Sequence, residues 1–271
     1  MKQPILWIHG WGMPRDVWRH SWAKQPHMQG LEHYGSFFAE YEHHYVNFAD
    51  CNGVEDFRKA ILREFHRNLS GNWIVVGWSM GGMLALELLL DQESRKRHNL
   101  NIESTVIVAG TLRFVSEDRH LGWPLRVLER MKSRLLIAPQ ETLLDFKKLV
   151  FGSDINSIHS ENYKEEFTPA GLMAGLNYLI ETDLREPWEQ YLTARALAAE
   201  TNLISPQLFW IHGSHDLVCP IHAVPDLSFK HTAIIESAGH IPFITEPIHF
   251  YELLRGFLHV RQYKQRTVIV E

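Results

Sequence analysis

The segment Gly77-Trp78-Ser79-Met80-Gly81 restricts the fold more than any other part of the chain. The apolar run Trp73 to Gly77 predicts a buried strand before it, and Met83 to Leu90, apolar on nearly all sides, predicts a buried helix after it. A serine between two glycines at such a junction indicates a sharp turn, because a side chain at either glycine would collide with neighbouring backbone. The flanking strand and helix argue against a chance match. Ser79 is therefore the candidate nucleophile, facing the free N–H groups at the start of the helix.

Short apolar runs alternate with helical periods along the chain, which predicts parallel strands joined by crossover helices. Most of the runs are continuous, as expected for strands covered on both faces. The strand candidates are Ile5 to His9, His44 to Phe48, Trp73 to Gly77, Thr105 to Ala109, Leu208 to His212 and Ala233 to Glu236. Apolar residues at helical spacing from Val54 to Leu69 predict an amphipathic crossover helix between the second and third strands.

The pattern changes between about residues 111 and 200, where no strand-like run occurs. Pro124, Pro139 and Pro169 each open a helical stretch there, as a proline in the first helical turn can. We expect an α/β fold with a mostly parallel sheet flanked by helices, in which 1–110 and 201–271 form the core and 111–200 a helical lid. The strand-like run Thr267 to Val270 has no assigned place.

Composition narrows the partners and the setting. With 45% hydrophobic residues and a net charge of −5, the chain has a globular composition without the excess of Lys and Arg that nucleic acid requires. No segment approaches the roughly 18 to 20 apolar residues needed to cross a bilayer, so no membrane partner is expected. The two cysteines, Cys51 and Cys219, favour a reduced cytoplasmic setting, although pairing between them stays open.

A glycine-rich loop, His9-Gly10-Trp11-Gly12, follows the first strand. Such a loop can bring a second backbone N–H to Ser79 and complete an oxyanion hole with the N–H of Met80. The alternative is a turn without a catalytic part, since glycine-rich turns are common. The presence of Ser79 favours the catalytic interpretation.

The chain has 17 histidines, so position has to identify the base. His240 follows a predicted strand in a loop that would share the sheet edge with Ser79, and Asp216 follows the strand before it. This order of serine, acid and histidine is typical of one class of nucleophilic enzymes. Asp216 would accept a hydrogen bond from the imidazole and fix its tautomer. Two alternatives are a metal site at His212, His215 and Asp216, which fits no familiar spacing, and Asp226 as the acid.

Taken together, these motifs resemble the α/β-hydrolase family, and within it the methyl ester esterases that act on pimeloyl-acyl-carrier protein in biotin synthesis. The resemblance extends over most of the chain. It rests on His9 to Gly12, Gly77 to Gly82, Gly171 to Pro187 with Thr182-Asp183-Leu184-Arg185, Asp216 to Val218, and Ala238 to Ile244.

The resemblance implies a serine carboxylesterase that needs no metal or organic cofactor and takes its substrate from acyl carrier protein. It implies that Trp11 and Met80 supply the oxyanion-hole N–H groups. We expect the protein to be a monomer. Trp11 and Trp78 would form a flat apolar wall for an acyl chain. The full set of expected substrate-binding residues is Trp11, Trp78, Phe146, Lys147, Lys148, Leu149, Val150 and His240.

Three departures from the family pattern bear on this interpretation. The chain starts almost at the His-Gly strand, so two preceding strands are expected to be missing or rebuilt, and Phe48 to Gly53 replaces the usual Asp-x-Pro-Gly loop. Family arginines that contact the carrier align with Glu141 and Asp145. A shifted basic face or a plain solvated surface are equal interpretations of the nearby cations. These are Arg126, Arg130, Lys132, Arg134, Lys147 and Lys148.

The motifs leave other functions open. A thioesterase, a lyase, a carbon–carbon hydrolase or a general short-chain esterase can use the same three residues, because a catalytic triad does not fix the substrate. A non-catalytic ligand-binding protein on this scaffold is the alternative from another class.

Overall fold

The computed structural model describes residues 2–19, 39–67, 71–152, 167–200, 207–225 and 232–266. Its centre is a sheet of six strands, which are β1 Gln3–Ile8, β2 Tyr41–Tyr45, β3 Trp73–Trp78, β4 Ile102–Val108, β5 Gln207–Gly213 and β6 Thr232–Ile235. Their order in the sheet is β2-β1-β3-β4-β5-β6, and every neighbouring pair is parallel. All six predicted strands are present, and the α/β class is confirmed. Within the described residues, no strand precedes β1.

The described part of the chain also contains nine α-helices with defined bounds and a 3-10 helix at Ile221–Ala223. The α-helices are α1 Val54–Phe65, α2 Met80–Leu90, α3 Gln92–Arg97, α4 Leu125–Ile137, α5 Pro139–Phe151, α6 Pro169–Glu181, α7 Arg185–Glu200, α8 Pro242–Thr245 and α9 Pro247–Arg266. None of them is long and apolar enough to span a membrane. The strand predicted at Thr267 to Val270 lies outside the described residues.

The core forms where the sequence is apolar on all sides. Strand β3 is buried at every position, and α2 packs against β3 and β4 with most of its residues buried. Helix α1 begins after Gly53, where the Asp56 carboxylate accepts the N–H groups of Asn52 and Gly53 at 3.1 and 3.0 Å. Both cysteines are buried and free, so the pairing left open by the sequence is not formed.

Helices α4 to α6 follow β4 as one group, in which α4 contacts both α5 and α6. Pro139 and Pro169 open α5 and α6 as predicted, whereas Pro124 caps α4 from just outside it. An ion pair of 2.6 Å joins the two ends of this group, between Arg113, which precedes α4, and Asp183, which follows α6. Helix α7 then contacts α2 of the core. The division into a core and a lid at 111–200 stays a prediction.

Candidate active site

Ser79 lies at the junction of β3 and α2, with φ 57° and ψ −122°. A non-glycine residue rarely adopts this backbone conformation, and such strain is concentrated at functional sites. A Cβ on Gly77 would overlap the carbonyl group of Gly81, and a Cβ on Gly81 would overlap the carbonyl group of Ile8. The predicted collision at both glycines is therefore confirmed. The tight packing holds the Ser79 turn against the end of β1.

Ser79, His240 and Asp216 form one chain of hydrogen bonds. His240 Nε2 is 2.9 Å from Ser79 Oγ, and its Nδ1 is 2.8 Å from Asp216 Oδ2. A carboxylate only accepts, so Nδ1 carries the imidazole proton and Nε2 is free to accept the serine hydroxyl proton. All three side chains are buried. The arrangement has the geometry of a nucleophile, a general base and an orienting acid.

The acid is held by the backbone of its own turn. Asp216 Oδ1 accepts the N–H groups of Val218 and Cys219, each at 2.8 Å. These two bonds fix the orientation of the carboxylate, whose other oxygen faces His240. Asp226, the alternative acid, lies outside the described residues.

The glycine-rich loop after β1 lies beside the nucleophile, since a Cβ on Gly10 would be 3.1 Å from Ser79 Cβ. Trp11 is fixed by its indole N–H, which donates to the Leu172 carbonyl of α6 at 2.8 Å. Its ring meets Phe146 of α5 edge-on, with centroids 4.9 Å apart. The loop expected to supply an oxyanion donor is therefore anchored to the helices above the sheet.

Trp78 has a different place from the one expected. Its indole N–H donates to the backbone carbonyl of His240 at 2.8 Å, and its ring lies 5.5 Å from the imidazole. Phe243 packs edge-on against the same ring at 5.3 Å. Trp78 thus supports the loop that carries His240.

An apolar cavity of about 410 Å³ opens among α4, α5 and α6. Of the residues expected to contact substrate, Trp11, Phe146 and Leu149 line it, whereas Trp78, Lys147, Lys148, Val150 and His240 do not. Val150 is buried in the helix packing instead. The rest of the lining is mostly apolar and consists of Phe114, Trp123, Val127, Leu128, Arg130, Met131, Arg134, Thr142, Asp145, Leu176 and Leu179. Apart from Arg130, Arg134 and Asp145, which were considered for their charge, no motif in the sequence had indicated these residues.

The cations of α4 and α5 are only partly available to a partner. Asp145 pairs with Arg134 at 3.0 Å and with Lys148 at 3.3 Å, and Lys132 lies 3.4 Å from Glu129. The hydrogen bond from Arg134 lowers the pKa of Asp145. Within the described residues, Arg126 and Arg130 have no such ion pair. The basic face is thus narrower than the six residues in the sequence suggested.

The described residues contain no group of three or more His, Cys, Asp or Glu side chains arranged to hold a metal ion. The alternative set of His212, His215 and Asp216 does not form one, because His215 is exposed while the other two side chains are buried.

This fold and this site define the class of the protein. The family profile described as "Alpha/beta hydrolase family" matches residues 5–252, and the chain belongs to that family.

The most informative relatives are named "Pimeloyl-[acyl-carrier protein] methyl ester esterase". The protein of that name from Vibrio cholerae is 26% identical, with 94% of each chain covered. The one from Vibrio vulnificus strain CMCP6 is 28% identical, with 93% of each covered.

Among solved structures, a bromoperoxidase from Bacillus anthracis has a TM-score of 0.70 at 20% identity, covering 96% of this chain and 92% of its own. An esterase from Exiguobacterium antarcticum has a TM-score of 0.67 at 17% identity, covering 95% and 92%. At these identities, the structures establish the fold alone. The relatives support a carboxylic ester hydrolase.

Proposed function

We propose that the protein is a serine carboxylesterase that hydrolyses the methyl ester of a pimeloyl chain carried on acyl carrier protein. The observation that carries the proposal is the hydrogen-bonded chain of Ser79, His240 and Asp216. None of the three lines the apolar cavity, which Trp11 joins to the loop beside Ser79. The names of the relatives supply the particular ester.

The reaction has two halves. Ser79 Oγ attacks the ester carbonyl while His240 Nε2 takes the hydroxyl proton, and the N–H groups of Trp11 and Met80 bind the oxyanion. His240 then returns the proton to the leaving methoxide, which departs as methanol and leaves an acyl-enzyme. Water, deprotonated by His240, attacks this intermediate and releases the acid, with the proton returning to Ser79. Asp216 stabilises the imidazolium in both halves.

The cavity supports an acyl chain as the substrate. Trp11 connects the nucleophile to the cavity, because its backbone belongs to the loop beside Ser79 and its ring lies in the cavity lining. A mostly apolar lining excludes water and suits methylene groups. In this proposal, residues 111–200 form a lid over the bound acyl chain, and the carrier protein binds to the outer side of α4. Arg126 and Arg130 lie on the same face of α4, one turn apart, where an acidic carrier could be attracted.

The first test is covalent labelling. A fluorophosphonate should label Ser79 and no other residue, and Ser79→Ala should lose both the label and the hydrolysis of nitrophenyl acetate. Labelling at another serine, or unchanged turnover by Ser79→Ala, would contradict the assignment of Ser79 as the nucleophile. A wild-type protein that neither reacts nor hydrolyses any ester would be the non-catalytic ligand-binding alternative.

The second test concerns the carrier. For pimeloyl-carrier methyl ester, kcat/KM should fall as salt rises, because salt screens the association of opposite charges, whereas nitrophenyl acetate hydrolysis should hardly change. Arg126→Glu combined with Arg130→Glu should lower kcat/KM for the carrier substrate relative to nitrophenyl acetate. Arg97→Glu is the matched control on α3, where the arginine is exposed and outside the α4 to α6 group. A carrier substrate no better than a free short-chain ester at any salt leaves only the general esterase.

A further inference from the structure

His212 is a buried histidine that the proposed reaction does not use. It lies in β5, and its side chain is fully inaccessible to solvent. Its Nε2 is 2.7 Å from the carbonyl oxygen of Cys219 and 3.4 Å from Asp216 Oδ2. The ring thus contacts the turn that carries the acid at two points.

The contacts determine the protonation state of this ring. A carbonyl oxygen only accepts, so Nε2 must carry the proton. Burial lowers the pKa of His212, which favours the neutral imidazole. A second proton on Nδ1 would have no acceptor, since Nδ1 is without a hydrogen-bond partner in the part of the chain that the structure describes. A neutral ring with its N–H at Nε2 therefore faces the turn.

Cys219 is held through both of its backbone groups. Its N–H donates to Asp216 Oδ1 at 2.8 Å, and its carbonyl accepts from His212. Without His212, the Cys219 carbonyl would be buried and unpaired, and leaving such a group unsatisfied is costly. The turn would relax to satisfy it, and the N–H groups that hold Asp216 would move with the turn.

We propose that His212 is a positioning residue for the acid, which braces the turn from Asp216 to Cys219 and presents an N–H beside Asp216 Oδ2. This inference rests on the proposed function, because it needs Asp216 to orient a working base. His212 itself takes no proton in the reaction.

The first experiment replaces the ring. His212→Leu should lower kcat for nitrophenyl acetate by about 10- to 100-fold, the range known for loss of an outer partner that orients a metal ligand. KM should stay within about twofold, because no substrate contact is removed. His212→Gln should recover part of kcat, since an amide N–H can donate to the Cys219 carbonyl. His215→Gln is the matched control, because this neighbouring histidine is exposed, and it should behave as wild type.

The second experiment asks whether His212 acts through Asp216. In an Asp216→Asn background, His212→Leu should cost less than about twofold, because two residues that act as a unit are strongly non-additive. The same loss in both backgrounds would show that His212 acts elsewhere, and would overturn the inference. So would wild-type kcat in His212→Leu. An inactive, unlabelled wild-type protein would instead overturn the proposed function.

The third experiment reads the protonation state of the His212 ring in the wild-type protein. Histidine ¹⁵N resonances of the wild-type protein should include one ring that stays neutral with its proton on Nε2 at about pH 6.5, where a free imidazole is half protonated. His212→Gln should remove that resonance, and His215→Gln should not. If the His212 ring is charged at this pH or carries its proton on Nδ1, it cannot donate as proposed.

Discussion

Gly175 offers a direct test of how α6 holds the oxyanion loop. The residue lies in the interior of α6, where alanine normally stabilises a helix by about 0.5 to 1 kcal/mol relative to glycine. Here a Cβ would overlap Cδ1 of Trp11 and would lie 2.9 Å from its Nε1 and 3.3 Å from Met80 Sδ. Gly175→Ala is therefore expected to destabilise the protein, although alanine normally stabilises a helix interior.

Contacts with two helices prevent the Trp11 ring from moving away from an added Cβ. Its N–H is held by the Leu172 carbonyl at 2.8 Å, and Phe146 packs against it edge-on. Overpacking a site of this kind typically costs about 1 to 3 kcal/mol. Gly256→Ala is the matched control, because Gly256 is inside α9 and its Cβ would meet nothing within 4 Å. The difference between the two variants isolates the steric cost, which should be about 1 to 3 kcal/mol.

Calorimetry and kinetics together decide the outcome. A difference of about 1 kcal/mol corresponds to roughly 2 to 4 °C in Tm for a protein of this size, so Gly175→Ala should melt several degrees below Gly256→Ala. Its kcat for nitrophenyl acetate should also fall, by no more than the roughly hundred- to thousandfold that loss of one oxyanion donor costs. If Gly175→Ala is as stabilising as Gly256→Ala and keeps wild-type kcat, the packing of Trp11 does not control the loop.

Three further outcomes follow from the contacts of the site. Asp216→Asn should lower kcat by about 10³- to 10⁴-fold with Tm little changed. A loss of kcat below tenfold would contradict the assignment of Asp216 as the orienting acid. Trp78→Phe should lower kcat by about 2- to 10-fold without raising KM, because it removes one hydrogen bond to the His240 backbone; a raised KM alone would favour a substrate contact. Burial lowers the pKa of His9 to about 4, so the unfolded state binds more protons below about pH 6.5. In urea unfolding, the wild type should therefore lose about 2 kcal/mol more stability from pH 7 to pH 5 than His9→Phe does.

The sheet could be predicted because its strands are buried on both faces. A continuous apolar run such as Trp73 to Gly77 indicates a strand whatever lies around it. The bounds were less certain at the sheet edge, where the predicted strand His44 to Phe48 forms at Tyr41–Tyr45. There the pairing of Gln3 with Tyr41 through Trp7 with Tyr45 sets the strand, and β1 ends soon afterwards. The length of an edge strand depends on its pairing with its single neighbour. The hydrophobic pattern of the edge strand itself does not contain this information.

The meeting of Ser79, Asp216 and His240 was predictable for a related reason. Each follows a different strand, and the carboxyl ends of parallel strands share one edge of the sheet. The sequence order of the strands therefore places the three residues on one side without any knowledge of their contacts. Their roles stay predictions until the variants are measured.

The supporting contacts were not predictable, because each joins residues far apart in sequence through a group that many residues possess. Trp78 illustrates the difficulty: an indole has a broad apolar face and a single N–H donor, and only the face was considered when Trp78 was predicted to contact substrate. In the structure the ring is buried and its N–H donates to the His240 carbonyl. The position of Trp78 therefore depends on this hydrogen bond. The residue directly before the nucleophile thereby holds the residue expected to deprotonate it. A change of Trp78 would therefore disturb both ends of one proton transfer.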